Sequence, residues 1–299
     1  MIVVIAPAHA VTGGPEALHQ LVHTANRLKP GSAAICYYPF TEPAPVPEPY
    51  RVYNTPVIRV DAIPSEARIV LPEIWPEMAH WFKQRSALWW LSVDNYGTHG
   101  QRDLSAIDLH LFQSDYAARH GRELGLPGQM LTDYLNPRFM ELDGTIDLSH
   151  KDRCVAVNPA KGRPLLEQFK RQNPDIEVRE MRGLDREGVI GVLASSMVYI
   201  DFGHHPGRDR PPREAAMAKC VVFSNNQGSA KLWGDMCIPN HFKFDWLDGL
   251  GDRVREVFDS RESLLANFDC QREYRAWIRD AERNFADEVW ELLAWAGLG

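Results

Sequence analysis

Short apolar runs alternate with amphipathic stretches along most of this chain, and the alternation predicts its elements. Ile2–Ala6 is a continuous apolar run of strand type. After a small-residue loop from Ala8 to Gly14, the apolar positions Ala17, Leu18, Leu21, Val22, Ala25 and Leu28 recur at helical spacing. Pro15 and Glu16 suit the first turn of that helix. Ala33–Tyr38 reads as the next strand, and Thr41–Tyr50 as a proline-rich loop that carries no sheet ladder. Arg68–Leu71 reads as a strand followed by a helix through Phe82. The apolar run Ser86–Val93 ends in Asp94-Asn95-Tyr96. Ile107–Gln113 is a further strand, and Ser114–Leu124 a helix closed by Gly125.

A second alternation follows the polar stretch Glu141–Arg153. It consists of strand Cys154–Val157, loop Asn158–Gly162, helix Pro164–Gln172, strand Glu177–Met181, helix Asp185–Ala194 and strands Val198–Phe202 and Cys220–Phe223. Between the last two strands lies a loop with His204, His205, Arg208, Arg210 and Arg213, and a short helix opening near Pro212, Arg213 and Glu214. Apolar positions from Tyr274 to Leu293 predict one long amphipathic helix over Gln271–Trp295. The expected fold is therefore α/β, with two Rossmann-like doubly wound parallel-sheet domains and a C-terminal helix closing the structure. The expected boundaries are an N-terminal domain over 1–140, a linker over 141–152, a C-terminal domain over 153–270, and a helix over 271–299 packing back towards the N-terminal domain. Ligands of such sheets bind at the carboxyl ends of the strands. The loops after Ala6, Val93, Val157, Met181, Phe202 and Phe223 are thus expected to line a cleft.

Composition narrows the function classes. A net charge of −7 argues against wholesale binding to nucleic acid or an anionic membrane, although a local basic site stays open. The five cysteines are scattered singly, which favours a reducing compartment over a disulfide framework. The opening Met-Ile-Val-Val-Ile-Ala-Pro lacks a charged n-region and no apolar run approaches a membrane span, so the expected location is the cytoplasm. Peripheral membrane association and oligomeric state stay open.

Candidate chemistry sits in the predicted loops. Gly13 and Gly14 let a bound group approach the backbone, or simply make a tight strand-to-helix turn. Lys161, after a strand and before a helix, is a phosphate ligand or an exposed loop lysine. The arginines Arg208, Arg210 and Arg213 beside a helix N-terminus outline an anion site. Glu214 is a ligand contact or a dipole-stabilising carboxylate. His204 and His205 contact phosphate or sugar hydroxyls or shape the loop, since no third ligand stands at a metal-site spacing. His19 and His23 are spaced like a zinc-protease pair, but Gln20 stands where the catalytic glutamate is needed. Asp94 orients or deprotonates an acceptor hydroxyl, or caps its loop, and Glu73 has similar standing. No Asp-x-Asp pair occurs, so no metal ligand is assigned and a metal-independent mechanism is expected.

On these residues the chain resembles the GT-B glycosyltransferases, and within them the retaining nucleotide-sugar transferases of bacterial capsule, lipopolysaccharide and exopolysaccharide assembly. Gly13-Gly14-Pro15-Glu16-Ala17-Leu18 resembles their N-terminal glycine loop, which faces the donor diphosphate and the acceptor. Asn158-Pro159-Ala160-Lys161-Gly162 is similar to the loop whose Lys-Gly pair holds the donor phosphates. Pro212-Arg213-Glu214-Ala215-Ala216 is similar to the helix whose glutamate binds the donor ribose. The chain departs from the pattern at Pro206, where the family's first glutamate usually stands, and at Asn158, the nearest polar residue where a basic partner is usual.

The resemblance implies transfer of a sugar from a UDP- or GDP-type donor to an acceptor hydroxyl, with no cofactor beyond that nucleotide-sugar co-substrate. It implies Lys161, Arg210 and Arg213 on the departing phosphate, Glu214 on ribose and Arg182-Gly183-Leu184 on the base. Asn158, His204, His205 and Arg208 complete the implied donor site. Glu16, Glu73 and Asp94 fall on the acceptor side, with Asp94, Lys161 and Arg213 as catalytic candidates. The alternatives are a non-catalytic nucleotide- or carbohydrate-binding protein of the same fold, a nucleotide-sugar epimerase and a sugar phosphorylase.

Overall fold

The computed structural model describes residues 1–40, 45–97 and 103–299, so the opening of the proline-rich loop expected over Thr41–Tyr50 lies outside the described residues. The chain forms two units. Met1–Tyr134, Pro206–Arg208 and Ala281–Gly299 make the first, and Leu135–His205 with Asp209–Asp280 the second.

The first unit runs β1 (Ile2–Pro7), α1 (Gly13–Leu28), β2 (Ala33–Tyr38), β3 (Arg68–Pro72), β4 (Ser86–Trp90), α2 (Val93–Gly97), β5 (Leu109–Phe112), α3 (Asp115–Glu123) and β6 (Gly128–Met130). Its strands pair in parallel in the order β2-β1-β3-β4-β5-β6. Strands buried on both faces need continuous apolar sequence. Accordingly, Ile2 and Val4 join one core layer while Val3 and Ile5 join the other. Helix α1 turns Ala17, Leu18, Leu21, Val22 and Ala25 into the first of those layers. Helix α3 starts at Ser114, whose hydroxyl accepts the Ala117 amide, and stops before Gly125 at φ +70°.

Two segments differ from the sequence expectation. The helix expected up to Phe82 is a 3₁₀ segment, Pro76–Trp81, entered through i→i+3 bonds from Trp75 to Pro72 and Met78 to Trp75. The apolar run from Ser86 leaves the sheet at Trp90, because the Leu91 amide turns onto the Glu73 carboxylate.

The second unit contains α4 (Pro137–Met140), α5 (Leu142–Thr145), β7 (Asp152–Val157), α6 (Arg163–Gln172), β8 (Glu177–Glu180), α7 (Arg186–Ser195), β9 (Ser196–Asp201), α8 (Arg210–Met217), β10 (Val221–Asn225), β11 (Lys243–Phe244), α9 (Leu250–Asp259) and α10 (Arg261–Asp269). The parallel order is β11-β10-β9-β7-β8. Helix α11 (Arg272–Trp295) ends the chain, with residues to Asp280 in the second unit and those from Ala281 in the first. There Phe285, Val289, Leu292 and Leu293 are buried and Phe285 stacks on Trp89. Arg27 pairs with Glu282, tying α1 to α11.

Each sheet has one place where strand order reverses. In the first it is the gap between β1 and β3, and in the second between β7 and β9. Loops at the carboxyl ends of such neighbours diverge to opposite faces and leave a crevice.

Candidate functional site

In the second unit the loops after β7 and β9 and the carboxyl ends of β9 and β10 bring together Lys161, Asp201, His205, Asp209 and Ser224. Lys161 Nζ donates to Asp209 Oδ2 at 2.8 Å. His205 is fully buried, with Nδ1 facing Asp209 Oδ2 at 3.3 Å and Nε2 3.8 Å from Asp201 Oδ1. Nε2 also lies 3.0 Å from Ser224 Oγ, and that hydroxyl donates its proton to the Asn225 carbonyl. Burial opposes the charge on His205, but the Asp201 and Asp209 carboxylates outweigh it and raise the imidazole above its ordinary range. Burial likewise pushes Asp209 up, yet His205 and Lys161 prevail and hold its carboxyl below the ordinary range. Asp201 is fixed by the Tyr199 hydroxyl at 2.9 Å and the Gly203 amide at 2.8 Å.

Two glycines make this assembly sterically feasible. Gly162 has φ +66°, and a Cβ there would stand 2.1 Å from the Phe202 carbonyl oxygen, so only glycine lets the β7 loop cross the end of β9. A Cβ on Gly203 would meet the Lys161 stem at 2.5 Å.

Helix α8 opens at Arg210 rather than near Pro212, which puts Arg213 and Glu214 in its second turn. Pro211 and Pro212 remove amide donors from its first turn. That terminus therefore has few amides to offer an anion, and the donors available there are side chains. Arg213 is almost completely buried and its Nε donates to the Asp209 carbonyl at 3.3 Å, while Arg210 is buried and Glu214 half-buried. Of the other expected donor residues, Asn158 accepts the Ala160 amide at 3.1 Å and shapes the Lys161 loop. His204 is half-buried beside this cluster in sequence, and Arg182, Gly183 and Leu184 are exposed after β8. Arg208 lies in the first unit, its amide on the Gln113 side chain at 3.0 Å. Asp201, Asp209 and Ser224 were not anticipated. The i,i+4 spacings Asp201–His205 and His205–Asp209 were the available signal.

In the first unit Glu73 follows β3 at the strand-order reversal. Its carboxylate accepts the Leu91 amide and Asn95 Nδ2, both at 3.2 Å. Burial pushes its pKa up to about 7, partly offset by the donors of Asn95, Leu91 and Ser92. Asp94 is exposed in α2, which that turn supports. Gly13 and Gly14 open α1 across the same reversal, and buried Glu16 accepts the Tyr53 hydroxyl at 2.8 Å. His19 bonds the Pro15 carbonyl and the Tyr37 hydroxyl, and His23 accepts the Asn54 amide. Among the described residues no three His, Cys, Asp or Glu side chains form a set able to hold a metal ion, and no helix is long and apolar enough to cross a membrane.

No protein-family model and no curated protein sequence matches the chain. Solved structures do. Sucrose-phosphate synthase from Thermosynechococcus elongatus is similar at a TM-score of 0.62 and 12% identity, over 98% of each chain. The UDP-forming alpha,alpha-trehalose-phosphate synthase of Burkholderia xenovorans, in complex with glucose-6-phosphate, matches at 0.62 and 11% identity, over 99% of this chain and 100% of that one. T4 phage BGT in complex with UDP and Mn2+ matches at 0.52 and 12% identity, over 97% and 99%. The fold is GT-B-like. At these identities the likeness to glycosyltransferases is one of architecture, spanning nearly the whole chain.

Proposed function

We propose that the chain is a glycosyltransferase that takes a sugar from a nucleotide-activated donor and passes it to an acceptor hydroxyl, in the assembly of a cell-surface polysaccharide or related glycan. The observation that carries this reading is Lys161 and the buried His205 network at the strand-order reversal of the second sheet, in a fold shared with sugar-nucleotide enzymes. Lys161, Arg210 and Arg213 neutralise the departing diphosphate, Glu214 binds the ribose, and the Arg182-Gly183-Leu184 backbone contacts the base. Charge that develops on the leaving group is then met by preorganised cations, which is the largest single source of catalysis in such reactions. Glu16, Glu73 and Asp94 serve the acceptor, with Asp94 orienting its hydroxyl.

The reaction is further proposed to need no divalent cation, since the chain has no Asp-x-Asp pair. T4 phage BGT was solved with Mn2+, so turnover with and without a chelator checks the point, and loss of turnover on chelation contradicts it. The main test is titration of the full chain with UDP, GDP and other nucleoside diphosphates. Saturable binding with a raised melting temperature is expected for at least one, and failure of all of them rejects the reading. A non-catalytic binding protein is the second reading. It is favoured by Pro206 at the usual glutamate position and by the Asp209 carboxylate already resting on Lys161. Turnover abolished by Lys161→Ala and Glu214→Ala eliminates it.

A further inference from the structure

Asp209 is the N-cap residue of α8, yet its side chain makes no capping bond to that helix. An aspartate at this position ordinarily accepts an amide from the first turn, but here Pro211 and Pro212 leave few amides to accept. The carboxylate instead takes Lys161 Nζ at 2.8 Å and faces His205 Nδ1 at 3.3 Å. We propose that Asp209 is an internal anion that occupies Lys161 until a phosphate-bearing ligand exchanges for it, making Asp209 the residue that sets how tightly such a ligand is held. The proposal rests on the reading of Lys161 as a phosphate ligand, and on no other part of the proposed function.

Three features suit the site to exchange. The Lys161 side chain is 45% exposed and that of Asp209 only 18%, so the lysine is the partner free to swing. Its stem lies against Gly203, which fixes where the swing starts. His205 Nδ1 stays facing the Asp209 carboxylate at 3.3 Å, so Asp209 is not stranded when Lys161 leaves. Removing one partner of a buried ion pair is otherwise strongly unfavourable. A phosphate group carries more charge and more acceptor oxygens than a carboxylate and so outcompetes it.

Calorimetric titration of the full chain with inorganic pyrophosphate and inorganic phosphate tests this without a nucleotide. Asp209→Asn should bind both anions about tenfold more tightly, because the same internal competitor is removed for each. The gain should vanish in Lys161→Ala/Asp209→Asn. If Asp209→Asn weakens pyrophosphate binding as Lys161→Ala does, or leaves both affinities unchanged, the proposal is overturned and Asp209 merely positions the lysine. Should the variant not fold, a wild-type crystal soaked with pyrophosphate decides. Lys161 Nζ on a phosphate oxygen supports exchange, and Lys161 still on Asp209 beside bound pyrophosphate contradicts it. Pyrophosphate exchange without any nucleoside diphosphate binding removes the glycosyl-transfer reading and leaves this inference standing. Nucleotide binding with unchanged Asp209→Asn anion affinities does the reverse, and absence of any anion binding overturns both.

Discussion

Glu73 shows how a single buried side chain ties stability to pH. Its carboxyl is held at about 7 in the folded chain against an ordinary value of 4.5. A carboxyl raised on folding binds more protons in the native state, so stability falls as pH rises from about 4.5 to about 7. The slope reaches about 1.4 kcal/mol per pH unit. Glu73→Gln should flatten that part of the curve in urea titrations across pH, and an unchanged slope would show that the carboxyl titrates normally. Lys151 is a second buried charge, donating to the Leu193 and Ser196 carbonyls at 2.8 and 2.7 Å. Lys151→Ala leaves both carbonyls without that donor and should cost about 2 kcal/mol in chemical unfolding. Glu73 stood out in the sequence only as an acceptor-side candidate, Lys151 not at all, and the burial of neither was legible there. A glutamate after a strand and a lysine in a polar stretch look like surface residues until the chain folds over them.

At the scale of elements, long apolar periodicities were legible and short pairings were not. β2 matches its expected span, and β1, β7 and α6 start or end within two residues of theirs, because buried parallel strands and amphipathic helices leave strong patterns. The three-residue β6 and two-residue β11 are held by neighbours rather than by their own sequence, and Gly128 even lacks a side chain to pack. The Lys-Gly loop was visible as a strand-to-helix connection, but not the reason for its glycine. Gly162→Ala places a methyl 2.1 Å from the Phe202 carbonyl in a left-handed conformation. It should destabilise the second unit by about 3 kcal/mol and impair Lys161-dependent anion binding. A melting temperature equal to wild type would show that the loop relaxes. The arginine loop shows the opposite limit: its arginines and histidines suggested an anion site, whereas the contact of Asp209 with Lys161 became visible only in the folded chain.

For the whole molecule, the alternation of strand and helix was enough to foresee two parallel-sheet α/β units and a long terminal helix, and similarity to GT-B enzymes covers nearly the full length. The division of α11 between the units has a consequence for stability. Truncation after Asp280 removes Phe285, Val289, Leu292 and Leu293 from the core of the first unit. Each buried side chain of this size contributes roughly 2 kcal/mol, so the truncated chain should expose that core and lose protease resistance in residues 1–134. Resistance equal to that of the intact chain would show the first unit to be stable without the helix.

The central claim is sugar transfer from a nucleotide donor that depends on the second unit's cations. Release of free nucleoside diphosphate from a panel of UDP- and GDP-sugars, with a glycan extract as acceptor, measures it directly. The account predicts acceptor-dependent release by the wild-type chain, reduced by about 10²–10³-fold in Lys161→Ala. No release from any donor, or release that Lys161→Ala leaves intact, would contradict it.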